Sequence, residues 1–228
     1  MNALPRLPVL ALALALGACA APPVTVQPPA NDTVARTPPQ LVAQVQRDVE
    51  RIDHSKDPLE RTQVLASATA DAQQCVALAP DSGACHYARA QVLGLTARER
   101  PAQALALLKD MLASLTRAEA LDPAFDHAGP ARLSATVLLR APGWPLGPGD
   151  ADAAVLAAQR AVEREPAYPP NLITLAQAQA RADASAKARA SYEQARRAVA
   201  AWGTDTPEEA ADRAAWQHDV EQGLHDLP

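Results

Sequence analysis

An all-α fold, built as a solenoid of antiparallel helix pairs, follows from three observations. The first is composition. The chain has 228 residues and 48% apolar content, much of it alanine and leucine, with only seven aromatic residues. Alanine is the best helix former, whereas strands favour β-branched and aromatic residues. The second is spacing: Pro80, Pro123 and Pro166, separated by 43 residues each time, close helical segments that end alike. A fixed period of this size means stacked supersecondary units. The third is punctuation. Arg140-Ala-Pro-Gly-Trp-Pro-Leu-Gly-Pro-Gly-Asp150 interrupts helical sequence with three prolines and three glycines. Both residues break helices, proline by its missing N–H and its ring, glycine by its entropy.

The first nineteen residues read as a targeting segment. Met1 to Arg6 is weakly basic, and Val9 to Leu16 is an apolar run far shorter than the roughly 20 residues of a spanning helix. Leu16-Gly17-Ala18-Cys19 matches the lipobox of bacterial lipoproteins, which makes Cys19 the lipidated first residue of the mature chain. The alternative is an ordinary secretory signal cleaved nearby, with Cys19 incidental. Ala20 follows the cysteine rather than Asp, which by the sorting preference of such proteins directs it to the inner leaflet of the outer membrane. Residues 20–39 carry six prolines and few packable side chains, the composition of a disordered tether. The folded domain is expected over residues 40–228.

Within the domain, Leu41, Val45, Val49 and Ile52 form one helical stripe. Asp57-Pro58 opens the next helix as N-cap and first turn. Arg98-Glu99-Arg100 reads as a polar turn, followed by an extended helix whose Leu105, Leu108, Leu112 and Leu115 are expected in the core. Asp150 is placed to cap the helix after the loop. Tyr168-Pro169-Pro170-Asn171 starts another helix, partnered by Ala186 to Trp202. Thr206-Pro207-Glu208-Glu209 opens a charged C-terminal helix suited to capping the stack.

The proline-closed segments resemble the tetratricopeptide repeat (TPR). In that repeat small residues recur where two antiparallel helices approach closely. Ala68, Ala154 and Ala188 occupy one such position, Cys75, Ala118, Ala161 and Ala195 a second, and Ala90 and Ala176 a third. Leu133 departs from the third, and Ala200 stands where the last proline would be. Two of the repeats run about nine residues beyond the roughly 34 of the usual unit. Cys75 and Cys85 lie five residues either side of Pro80, facing each other across a tight turn. In an oxidising compartment this favours a disulfide over two small buried core residues. Closing so short a loop stabilises by roughly 3 kcal/mol in the chain-entropy model.

A narrower resemblance is carried by Gly129-Pro130-Ala131-Arg132, Leu138 to Gly147, Gly149-Asp150, Ala161 to Pro166 and Pro170-Asn171. These segments are similar to the TatT family. That family is the T-component, a periplasmic TPR lipoprotein associated with tripartite ATP-independent periplasmic (TRAP) transporters. The resemblance spans residues 40–202 in architecture and is most specific over 126–175. It implies an all-helical homotrimer with a pore or cleft through each protomer. It also implies passage of small hydrophobic ligands to a substrate-binding P-component. No individual ligand contact carries over.

The candidate site is the interrupting loop: Arg140, Pro142, Gly143, Trp144 and Leu146 as a ligand or interface segment. Trp144 either lines a cleft or subunit contact, or folds back over its own loop. Arg140 either pairs with an acidic ligand group or is a solvated anchor. The formal charge of −5 without a basic stripe argues against nucleic acid. The five histidines make no metal site: His218 and His225 are about 10 Å apart along a helix. No H-E-x-x-H, G-x-S-x-G or phosphate loop is present, so neither enzymatic activity nor a cofactor is expected. The TatT resemblance implies ligand binding and hand-over beside a TRAP-type transporter; the rival reading is a TPR scaffold for protein contacts in envelope assembly.

Overall fold

A computed structural model describes residues 36–203 and 205–228. The signal segment, Cys19 and the tether up to residue 35 lie outside the described residues. The fold begins earlier than expected. Helix α1 spans Pro38–His54, with Thr37 as N-cap and two prolines in the first turn. Proline suits those positions, where the N–H has no intrahelical partner. Ahead of it, Arg36 grips Asp71 of the next helix through both guanidinium arms, one at 2.6 Å.

Eight further α-helices follow among the described residues: α2 Pro58–Leu78, α3 Gly83–Glu99, α4 Ala104–Leu121, α5 Phe125–Arg140, α6 Ala151–Arg164, α7 Pro169–Arg181, α8 Ser185–Ala201 and α9 Pro207–Asp226. No strand is present among these residues. Consecutive helices pack antiparallel as pairs α1/α2, α3/α4, α5/α6 and α7/α8. The first helices of successive pairs touch one another, whereas the second helices do not. The stack therefore has a layer of first helices and an outer layer of second helices.

The three prolines close equivalent junctions. Helices α2, α4 and α6 each end two residues before one, through Ala79, Asp122 and Glu165 with φ of −140°, −148° and −133°. In each case the cap N–H donates to the carbonyl four residues back, on Cys75, Ala118 and Ala161. All nine of the small residues singled out by the repeat pattern are fully buried, at 0% exposure. They are the contact points at which helices nest, and a larger side chain there would force the helices apart. Cys75 and Cys85 form a disulfide across the α2–α3 turn, with Cα atoms 5.4 Å apart.

Caps fall where local chemistry directs them. Asp57, Ser82 and Asp150 accept from backbone N–H groups of α2, α3 and α6, and Thr206 with Glu209 forms a capping box on α9. Helix α9 lays Val220 against Leu172, Ile173, Tyr192 and Val199, closing the end of the stack. The leucine stripe of α4 differs from expectation. Leu115 is buried, Leu108 and Leu112 are half-buried, and Leu105 is exposed. In the first half of α4, Ala104, Leu108 and Met111 border an opening.

Candidate functional site

That opening lies between α3, α4 and α5, where contact between successive first helices is thinnest. The repeat pattern changes here. At the helix-nesting positions, α4 carries Met111 in place of alanine and α5 carries Leu133. Met111 packs against Gly94 of α3; a Cβ there would sit 3.0 Å from its sulfur, so the glycine eases the approach. Larger side chains hold the pairs apart, and a cleft of about 490 Å³ results, open to solvent on one side. Met111, Ala97 and Val137 form its buried floor, and Leu108 and Leu133 line it above them.

The loop at residues 140–150 supplies one rim. Gly149 N–H donates to the Pro142 carbonyl at 2.8 Å, and Asp150 N–H to the Leu138 carbonyl at 3.0 Å. The Gly143 carbonyl accepts from the N–H groups of Leu146 and Gly147. Two glycines are required by close approach. A Cβ on Gly147 would lie 2.4 Å from the Pro142 oxygen, and one on Gly149 2.1 Å from the Ala141 oxygen. The loop is thus folded on itself by backbone contacts and presents Arg140, Ala141 and Pro142 to the cleft.

The five loop residues singled out by sequence divide into two groups. Arg140 and Pro142 line the cleft; Gly143, Trp144 and Leu146 do not. Trp144 is 90% exposed and Leu146 76% exposed. Trp144 neither lines the cleft of its own chain nor folds back to cover the helix pair. The loop's internal bonds leave its tip no apolar surface of the same chain to meet. A subunit or partner contact is the one of its three expected roles compatible with this exposure.

The lining of the cleft is mostly apolar. Its polar side chains are Thr136 and two arginines at the rim, Arg98 and Arg140, with no carboxylate. Arg98 is already paired, its Nη1 2.9 Å from Asp53 Oδ1. Arg140 makes no ion pair or side-chain hydrogen bond among the described residues. Among those residues, no group of three or more His, Cys, Asp or Glu side chains gathers as a metal site.

A second constellation escaped sequence reasoning. At the start of α5, Asp126, His127 and Ala128 occupy left-handed backbone, with φ of 51°, 51° and 60°. Non-glycine residues there carry strain of about 1–3 kcal/mol each. Arg132 holds them: its guanidinium donates to the carbonyls of Asp126 and His127, to the Asp126 carboxylate at 2.9 Å and to Asn171 Oδ1 at 3.1 Å. Asn171, fully buried, returns bonds from Nδ2 to the carbonyls of His127, Ala161 and Glu165. Tyr87 donates to Asp126 Oδ2 at 2.7 Å, and burial pushes its phenol well above the ordinary tyrosine range.

His127, exposed at the surface, stacks on Tyr168 with ring centroids 4.3 Å apart. Tyr168 also meets Trp202 and Trp216 edge-on and lies beneath Arg132. Arg132 and Asn171 belong to the segments that carry the TatT resemblance. Their visible work is to lock α5 to α7, beside the cleft's α5 wall. The one sequence cue was Gly129-Pro130, two helix-breaking residues close after Asp126-His127; Gly129 also lets Tyr87 approach, since a Cβ there would sit 2.8 Å from the Tyr87 hydroxyl.

Comparison with protein-family models and with curated proteins gives no match to this chain.

Proposed function

We propose that this protein is a lipid-anchored, periplasmic TPR-like binding protein that accompanies TRAP-type transport as a T-component does, holding a small organic ligand and handing it over. The observation that carries the reading is the apolar cleft between α3, α4 and α5. It forms where the repeat abandons its small residues and where the extra loop is inserted. Stacked helix pairs bind without chemistry of their own, and a concave, mostly apolar hollow with a few polar groups is the usual form of a ligand site. Its volume of about 490 Å³ falls inside the roughly 300–1,000 Å³ of such sites.

Topology suits the hand-over. The chain enters at Arg36, on the stack edge that carries the α2–α3, α4–α5 and α6–α7 turns. The loop of residues 140–150 lies on the opposite edge, with the turns inside each pair. The cleft rim and the exposed Trp144 and Leu146 therefore lie at the opposite edge of the stack from Arg36. Those two side chains suit a contact with the substrate-binding P-component or a second protomer of a homotrimer. They also favour the rival reading, a scaffold for envelope proteins, since exposed aromatic loop tips are common at protein interfaces.

Purification from solubilised envelopes separates the two. Recovery of a TRAP substrate-binding protein, lost on Trp144→Ala, supports the transport role. Recovery of envelope-assembly proteins alone sinks it. Replacing Cys19 with Ser tests the anchor, because the variant should leave the membrane fraction.

A further inference from the structure

We propose that the cleft takes an anionic amphiphile: a hydrocarbon body on the floor of Met111, Ala97 and Val137 and against Leu133, and a carboxylate on Arg140. This rests on the ligand-binding reading above and names the chemistry of that ligand. Three observations argue for it. Of the twelve lining residues, nine are apolar, and the buried ones, Ala97, Met111 and Val137, are all apolar. The only charges on the lining are two guanidiniums, both exposed at the rim. They are not equivalent: Arg98 is neutralised by Asp53, while Arg140, one residue before the loop's first turn, has no ion-pair partner among the described residues.

Polarity thus runs in one direction, from an apolar floor to a cationic mouth. A cationic ligand would meet the like charge of Arg140 there. A neutral hydrocarbon would fill the floor and leave Arg140 unused. A fully polar anion would strand the floor against water, with no buried donor to hold it. A carboxylate with a hydrocarbon body satisfies both ends at once. Arginine suits it because its planar fork matches a carboxylate in two parallel hydrogen bonds.

The loop explains why the charge stands where it does. Arg140 ends α5, and the Asp150 N–H to Leu138 carbonyl bond pins the loop's far end beside the last turn of that helix. Gly147 and Gly149 permit this tight folding, so Arg140 is set at the cleft mouth by a rigid element. The nearby Asp150 carboxylate is occupied in capping α6, where it accepts from the Ala153 N–H at 2.9 Å.

The test uses a matched series of ten-carbon probes, decanoate, decan-1-ol and decyltrimethylammonium, titrated calorimetrically into the full chain carrying Cys19→Ser, so that no detergent competes. Decanoate should bind at least about tenfold tighter than decanol, since a charge-assisted hydrogen bond at such a site contributes on that scale. The ammonium should bind no better than decanol. Arg140→Gln, at an exposed position, should bring decanoate down to the level of decanol and leave decanol unchanged. Added salt should weaken decanoate alone. Ala104→Trp, which fills the cleft from the first residue of α4, should abolish both. Equal binding of decanoate and decanol, or an Arg140→Gln variant that keeps its preference, overturns the anionic assignment while the ligand-binding reading stands. Absence of binding by all three probes overturns both.

Discussion

Arg132 is the residue on which the start of α5 depends. Its side chain is 15% exposed and neutralises Asp126 while satisfying two carbonyls of a left-handed turn. Arg132→Ala leaves those acceptors and the Asn171 oxygen without their donor, and should cost about 2–4 kcal/mol in denaturant melts. Arg132→Lys should restore only a small part, because a single ammonium cannot serve the geometry of a fork. An alanine variant as stable as the parent would show that the strained turn holds itself. Gly149 is the corresponding test in the loop. Gly149→Ala puts a methyl group within 2.1 Å of a backbone oxygen, so the loop must open. A loss of about 1–3 kcal/mol and new protease cleavage between residues 140 and 150 are expected.

At the scale of elements, the α2–α3 junction carries a covalent lock. The disulfide spans a separation of 10 residues and ties the end of one repeat to the start of the next. Its reduction should lower stability by roughly 3 kcal/mol, read as a shift of the denaturant midpoint with and without reductant. Two free thiols in the denatured, unreduced protein would contradict the bond itself. The nine buried small residues act by another means, allowing close approach of helices. Ala161→Leu should therefore destabilise by about 1–3 kcal/mol through overpacking. The natural chain tolerates Met111 and Leu133 at matching positions because α3 supplies Gly94 and the stack opens into a cleft there.

For the whole molecule, buried phenols set an alkaline limit. Burial raises Tyr87, Tyr168 and Tyr192 above the ordinary value of 10.0. The folded state thus holds its phenolic protons after the unfolded chain has begun to lose them. The stabilisation is complete below pH 10.0 and declines as pH rises past it. Denaturant midpoints measured up to about pH 11 should fall in that window and stay level below it. In Tyr87→Phe the fall should be shallower, because the most strongly shifted group is gone.

Much of this architecture was legible in the chain. Alanine content, the 43-residue proline spacing and recurring small residues are local or periodic signals, and nearest-neighbour stacking turns them directly into helix pairs. Asp57, Asp150 and Thr206 could be read as caps because capping is decided within four residues. The loop was legible as an interruption, though not for what each residue does: Arg140 and Pro142 face the cleft, while Trp144 faces solvent. That division depends on backbone contacts between Gly149 and Ala141 and on which neighbouring helices happen to be near. The Tyr87–Asp126–Arg132–Asn171 network was hidden for the same reason. Its members are up to 84 residues apart in the chain, and no period or motif announces them. The cleft, likewise, exists only where two oversized residues from different helices meet one glycine, a coincidence in space that a linear pattern does not record.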